Sequence, residues 1–133
     1  MVLDTSVLVH IMTQESGWRN TVDFLNKQES LKLSAGSHVE LQAVMLGRLK
    51  QGAHNIVNKI LQQLNVEVMA LTPNQADIAR LAYATYGRGQ NHPTRLNFGD
   101  VLSYALAKSL SEQLAYVGDD FGHTDLRTVR LPA

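Results

Sequence analysis

A chain of 133 residues, 44% hydrophobic and 18% charged, carries enough apolar content for one folded core and is not a disordered tail. Twelve basic and twelve acidic residues cancel to a net charge of zero, and there is no cysteine. These counts exclude a broadly basic nucleic-acid surface, disulfides, thiolate catalysis and cysteine-held zinc.

The N-terminal apolar run is broken by Asp4 and His10 and has no basic leader. Nothing approaches the ~18 consecutive apolar residues of a membrane span. A single domain over residues 1–133, soluble and cytoplasmic, is therefore expected. Val2-Leu3 reads as a short buried strand ending at Asp4, and Thr5 or Ser6 can cap a helix through Met12. A second helix from about Ser16 to Lys27 carries Trp18, Val22 and Leu25 on one side. Leu31 to Ser34 reads as a strand, and Ser37-His38-Val39-Glu40 opens a helix to about Lys50. That helix is apolar on nearly all sides, which suits either a central core helix or one covered by another chain.

A helix from about Ala53 to Leu64 leads into the clearest strand, Val66 to Leu71. Thr72-Pro73-Asn74-Gln75 is a strong helix start, with a threonine cap and proline in the first turn. The helix should reach Tyr86 and bury Ile78, Leu81 and Ala82. Gly87 to Thr94 is punctuated by glycine and proline and reads as a loop. From Asn97 a further helix places Phe98, Val101, Leu102, Ala105, Leu106 and Leu110 on one face, with Asp100 off that face in the first turn. Leu114 to Val117 is a strand ending at Gly118-Asp119-Asp120, and Thr128 to Leu131 is a last short strand.

Strands alternating with helices predict a three-layer α/β/α sandwich around a mainly parallel sheet of four to five strands. Ligands of such sheets bind beyond the carboxyl ends of the strands. Asp4 and the Asp119-Asp120 pair leave strands at that edge, and Glu40 and Asp100 stand in first turns of helices that start near it. Each acid has an ordinary alternative. Asp4 can cap a helix, Glu40 can close a capping box with Ser37, Asp100 can favour the helix dipole, and Asp119 and Asp120 can be turn residues. Together they would repel one another unless a hard divalent cation sat among them. Mg²⁺ and Mn²⁺ prefer oxygen donors, and such a site suits displacement at phosphorus. It is a nuclease site in outline.

Four segments in order carry a family resemblance: Leu3-Asp4-Thr5-Ser6, Ser37-His38-Val39-Glu40, Leu96-Asn97-Phe98-Gly99-Asp100 with Tyr104 to Ala107, and Tyr116 to Phe121 followed by Thr124-Asp125. Over nearly its whole length the chain resembles the PIN-domain endoribonucleases, in particular VapC-type toxins of bacterial toxin–antitoxin pairs. The resemblance implies Asp4, Glu40, Asp100 and Asp119 as catalytic acids and ligands of Mg²⁺ or Mn²⁺. It implies supporting roles for Ser6 and Asp120. The implied activity is hydrolysis of tRNA, rRNA or mRNA by a homodimer that a cognate antitoxin silences. Arg88, His92 and Arg95, in the loop before the Asn97 helix, are candidates for phosphate contact. Two other readings remain at this point: a haloacid-dehalogenase-like phosphatase, which also pairs an early aspartate with a late Gly-Asp-Asp, and a PIN-like module that binds RNA or a partner without catalysis.

Overall fold

The apolar runs that alternate with amphipathic segments become strands and helices in a computed structural model that describes residues 1–132. In chain order these are β1 (Val2–Leu3), α1 (Thr5–Met12), α2 (Trp18–Asn26), β2 (Leu31–Ser34), α3 (Ala35–Leu49), α4 (Ala53–Gln63), β3 (Val66–Met69), α5 (Pro73–Tyr86), α6 (Phe98–Leu110), β4 (Leu114–Val117) and β5 (Thr128–Leu131). The strands pair in the order β3-β2-β1-β4-β5, and every pairing is parallel. Register is set by pairs such as Leu3 with Ala115 and Leu33 with Val68.

Neighbouring side chains on a strand point to opposite faces, and this divides the core in two. Leu3, Leu31, Leu33, Ala115 and Leu131 join Val7, Leu8, Leu25, Leu41, Met45 and Val57 in the layer built with α1 to α4. Val2, Leu114 and Tyr116 face the other way and pack with Ala79, Ala82, Val101, Ala105 and Leu106 of α5 and α6. The expected sandwich is therefore present, with a sheet of five strands.

Several local expectations are corrected. Asp4, not Thr5 or Ser6, caps α1, accepting from the Ser6 amide. Helix α3 starts earlier than expected, at Ala35, with Ser34 as its cap, so the Ser37–Glu40 capping box does not form. Only Ser37, Leu41 and Met45 of α3 are buried, while Val39 is 70% exposed and Leu46 60%. It is not a helix wrapped by its own core. Leu81 of α5 also faces outward. In α6 the expected face fails at its first residue: Phe98 is 77% exposed, whereas every residue from Gly99 to Ala107 is buried, Asp100 included. That helix packs against α5, α3 and the sheet along Gly99 to Ala107, while its last residues, Lys108 to Leu110, are exposed, so the expected face fails at Leu110 as well.

Strand β1 lies between β2 and β4, and the chain leaves it in one direction to reach β2 and returns on the other side through β4. Crevices at such reversals, beyond the carboxyl ends of the strands, are where parallel sheets hold ligands. Asp4 is the first residue past β1, its amide bonded to the Ala115 carbonyl of β4 at 3.0 Å.

Candidate active site

Asp4 is almost fully buried. The Ser6 amide donates to Oδ2 at 3.0 Å and the Ser103 hydroxyl to Oδ1 at 2.8 Å. Ser6 has a second task, its hydroxyl accepting from the Val117 amide at 3.0 Å and so tying the end of β4 to α1. Asp100 and Asn97 form a reciprocal capping box: the Asn97 amide donates to Asp100 Oδ2 at 2.9 Å, and the Asp100 amide to Asn97 Oδ1 at 2.8 Å. This orients the Asp100 carboxylate at the positive end of α6. Glu40, half-buried, accepts from the Thr5 hydroxyl at 2.7 Å and lies directly over Gly99.

These acids act on one another. Burial above all lifts the Asp4 carboxyl above its ordinary value; hydrogen bonds from Ser6 and Ser103 oppose the rise, and the charge of Glu40 adds to it. Asp100 is pushed up to about 7, first by burial and then by Asp4, with Asp120 and Glu40 adding and the Asn97 amide opposing. Ion pairs are found elsewhere among the described residues, and none involves Asp4, Glu40 or Asp100. The site thus concentrates negative charge with hydroxyl and amide support but no basic partner.

The two acids of the β4 turn differ. Asp119 points outward, 84% exposed, and is paired with Arg130 at 2.8 Å. Asp120 is exposed as well, but it is the one whose charge reaches Asp100. Arg88 and Arg95 are exposed, and among the described residues neither makes an ion pair. A cleft of about 380 Å³ beside them is lined by Gly87, Gly89, Gln90, Asn91, His92, Pro93 and Arg95. His92 accepts from the Thr94 amide at 3.0 Å and meets Tyr86 edge to face.

Among the described residues, no three acid or histidine side chains already converge on a single point as metal ligands. Each carboxylate is held by its own hydrogen bond: Glu40 by Thr5, Asp100 by Asn97, Asp4 by Ser6 and Ser103. The donor set nonetheless fits a hard divalent cation, being all oxygen, largely desolvated and without a basic counter-charge. Sequence reasoning missed Ser103, Thr5 and Gly99 as parts of this site. Only Gly99 left a signal, since glycine in a helix is unfavourable unless something must come close.

A PIN-domain family model matches residues 1–126. The ribonuclease VapC42 of Mycobacterium tuberculosis is 42% identical over 127 residues, covering 96% of this chain and 97% of its own length. Among solved structures, VapBC2 of Rickettsia felis, bound to a DNA fragment from its promoter, superposes with a TM-score of 0.76 at 14% identity, covering 97% of this chain and 96% of that one. A toxin–antitoxin complex from Klebsiella pneumoniae gives a TM-score of 0.69 at 17% identity, covering 96% and 94%. Those two likenesses are of fold. The family match sets the phosphatase reading aside, consistently with Ser6 standing where that chemistry needs a second acid.

Proposed function

Because this chain belongs to the PIN-domain family, and within it to the VapC proteins, we propose that it is a divalent-cation-dependent endoribonuclease toxin. The observation that carries the reading is the pair Asp4 and Asp100, two buried acids at the reversal point of a parallel sheet, the charge of Asp4 raising the proton affinity of Asp100. The likeness to a named ribonuclease at 42% identity over nearly the whole chain supports RNA as the substrate class.

Asp4, Asp100 and Glu40 would hold Mg²⁺ or Mn²⁺. The fourth acid is assigned to Asp120 in place of Asp119, because Arg130 engages Asp119 while the charge of Asp120 bears on Asp100. A bound cation would neutralise charge on phosphate oxygens and raise the acidity of water. The chain's own residues do the remainder. Ser6 and Ser103 fix the Asp4 carboxylate, Asn97 fixes Asp100, and Thr5 fixes Glu40. His92 and Arg95 line a cleft in the loop before α6, and with the exposed Arg88 of the same loop they would receive the phosphates of the RNA strand. The tRNA, rRNA and mRNA classes all present such a backbone.

An antitoxin is the proposed partner, with a second copy of the chain completing a homodimer. The exposed apolar residues Val39 and Leu46 of α3, and Phe98 beside the acids, offer surface for such contacts. No helix of the described residues is long and apolar enough to cross a membrane, and the cytoplasm, where RNA is met, is the proposed compartment. The test is RNA cleavage in Mg²⁺ or Mn²⁺, repeated in EDTA and with Asp4→Asn. Cleavage in the first preparation alone supports the reading; identical behaviour in all three overturns it. A map of RNA ends after brief expression would identify the target.

A further inference from the structure

Beneath Asp4 lie two hydroxyls that contribute nothing to apolar packing. Ser103 of α6 and Ser37 of α3 are both fully buried. Their hydroxyl oxygens are 3.2 Å apart, and Ser103 donates to Asp4 Oδ1 at 2.8 Å. Alanine would occupy either position with no polar atom to satisfy, so burying these hydroxyls is unfavourable unless their bonds are used.

The direction of those bonds follows from the inventory of protons. An ionised carboxylate only accepts, and a serine hydroxyl has one hydrogen. Ser103 must turn its hydrogen to Asp4, so the contact between the two serines is donated by Ser37. The result is a one-way chain, Ser37 to Ser103 to Asp4, linking α3, α6 and the end of β1. Oδ1 is held from within the core, while Oδ2 takes the Ser6 amide. The carboxylate has no rotational freedom left while both bonds stand.

We propose that Ser103 is a positioning residue that holds the Asp4 carboxylate in the orientation used to bind a divalent cation, and that Ser37 acts on Asp4 only through Ser103. This rests on the reading of the acids as a cation site. It adds an ordered outer layer to that site, of the kind whose loss typically weakens metal affinity about 10–100-fold.

The experiment is calorimetric titration of Mn²⁺ into the full-length protein without RNA, with thermal unfolding in EDTA measured alongside. Wild type, Ser103→Ala, Ser37→Ala and the double variant are compared. Ser103→Ala should weaken Mn²⁺ binding roughly tenfold or more, and Ser37→Ala less. Both should unfold in EDTA within a few degrees of wild type. The double variant should bind no more weakly than Ser103→Ala alone, because the second hydroxyl has no independent route to Asp4. Should Ser103→Ala not fold, Ser103→Cys supplies the same comparison, since it keeps a side chain of similar size and weakens the hydrogen bond. Wild-type affinity in the Ser103 variant, or additive losses in the double variant, would overturn the proposal while leaving the cation site standing. Absence of Mn²⁺ binding by wild type would overturn both.

Discussion

Gly99 lies against the carboxylate of Glu40 so closely that a β-carbon at position 99 would overlap Oε2. The backbone of α6 and the end of the α3 side chain therefore share one space, and the glycine is what permits Glu40 to reach Thr5. Its role is close approach, since Gly99 is not among the positive-φ glycines.

Gly99→Ala should displace Glu40 while leaving the fold intact. Alanine is favoured over glycine in a helix by about 1 kcal/mol, which offsets part of the collision. The expected outcome is RNA cleavage reduced at least tenfold with an unfolding temperature within a few degrees of wild type. Undiminished cleavage would show that the position of Glu40 is immaterial.

Asp100→Asn should stabilise the cation-free protein at neutral and alkaline pH. The folded-state pKa is raised from 3.8 to about 7, so the folded state holds this proton more tightly than the unfolded chain does. Stability is therefore lost as pH rises from about 4 through about 7, and the loss is complete above it. Asparagine keeps an acceptor for the Asn97 amide and removes the charge. In EDTA at pH 8 the gain should be on the order of 2 kcal/mol, or roughly 5–10 °C in unfolding temperature. At pH 4 it should vanish. Thermal unfolding at the two pH values is the measurement, and an equal difference at both would contradict the account.

Much of this architecture was legible because its determinants are local. The strands Leu31–Ser34, Leu114–Val117 and Thr128–Leu131, and the Thr72-Pro73 start of α5, stand where short apolar runs and cap chemistry put them. What was not legible depends on distant partners. Ser34 and Ser37 are equally good caps in one dimension; Ser37 is drawn into the core by Ser103, far along the chain. Helical periodicity assumes one buried face, which fails for α6, enclosed on all sides from Gly99 to Ala107. Asp4 and the Asp119-Asp120 pair stand out in the sequence because they follow short apolar strands, whereas Ser103, which holds Asp4, lies within a helix where no pattern distinguishes it.

At the opposite edge of the sheet, Glu112 receives Lys32 at 2.7 and 2.9 Å and the Met1 ammonium at 3.4 Å. Burial works to raise the Glu112 carboxyl, but the Lys32 hydrogen bonds and the two positive charges outweigh it, and its pKa is lowered. A lowered carboxyl contributes stability that is present above its ordinary value of 4.5 and is lost as pH falls through the folded value. Glu112→Gln should therefore cost about 1 kcal/mol at pH 7 by urea unfolding. The difference should shrink towards zero in acid. RNA cleavage should be unchanged, because this network ties β1, β2 and the end of α6 at the edge remote from Asp4.

The last expectation separates the two neighbours of the β4 turn. Asp119 is bound to Arg130 on the surface, with both side chains mostly exposed, and such a pair is worth at most about 1 kcal/mol. Asp120 is exposed too, but its charge adds to the charge that Asp100 must bear. Asp119→Asn should leave both Mn²⁺ affinity and RNA cleavage within twofold of wild type. Asp120→Asn should weaken Mn²⁺ binding and lower cleavage by about tenfold or more, as removal of a group in contact with the ion or its water does. It should also ease the ionisation of Asp100, so that the gain in stability from Asp100→Asn is smaller in an Asp120→Asn background than in wild type. Calorimetry on the two single variants decides the matter. Loss of binding in the Asp119 variant with normal binding in the Asp120 variant would reverse the assignment and require Arg130 to release its partner when a cation enters.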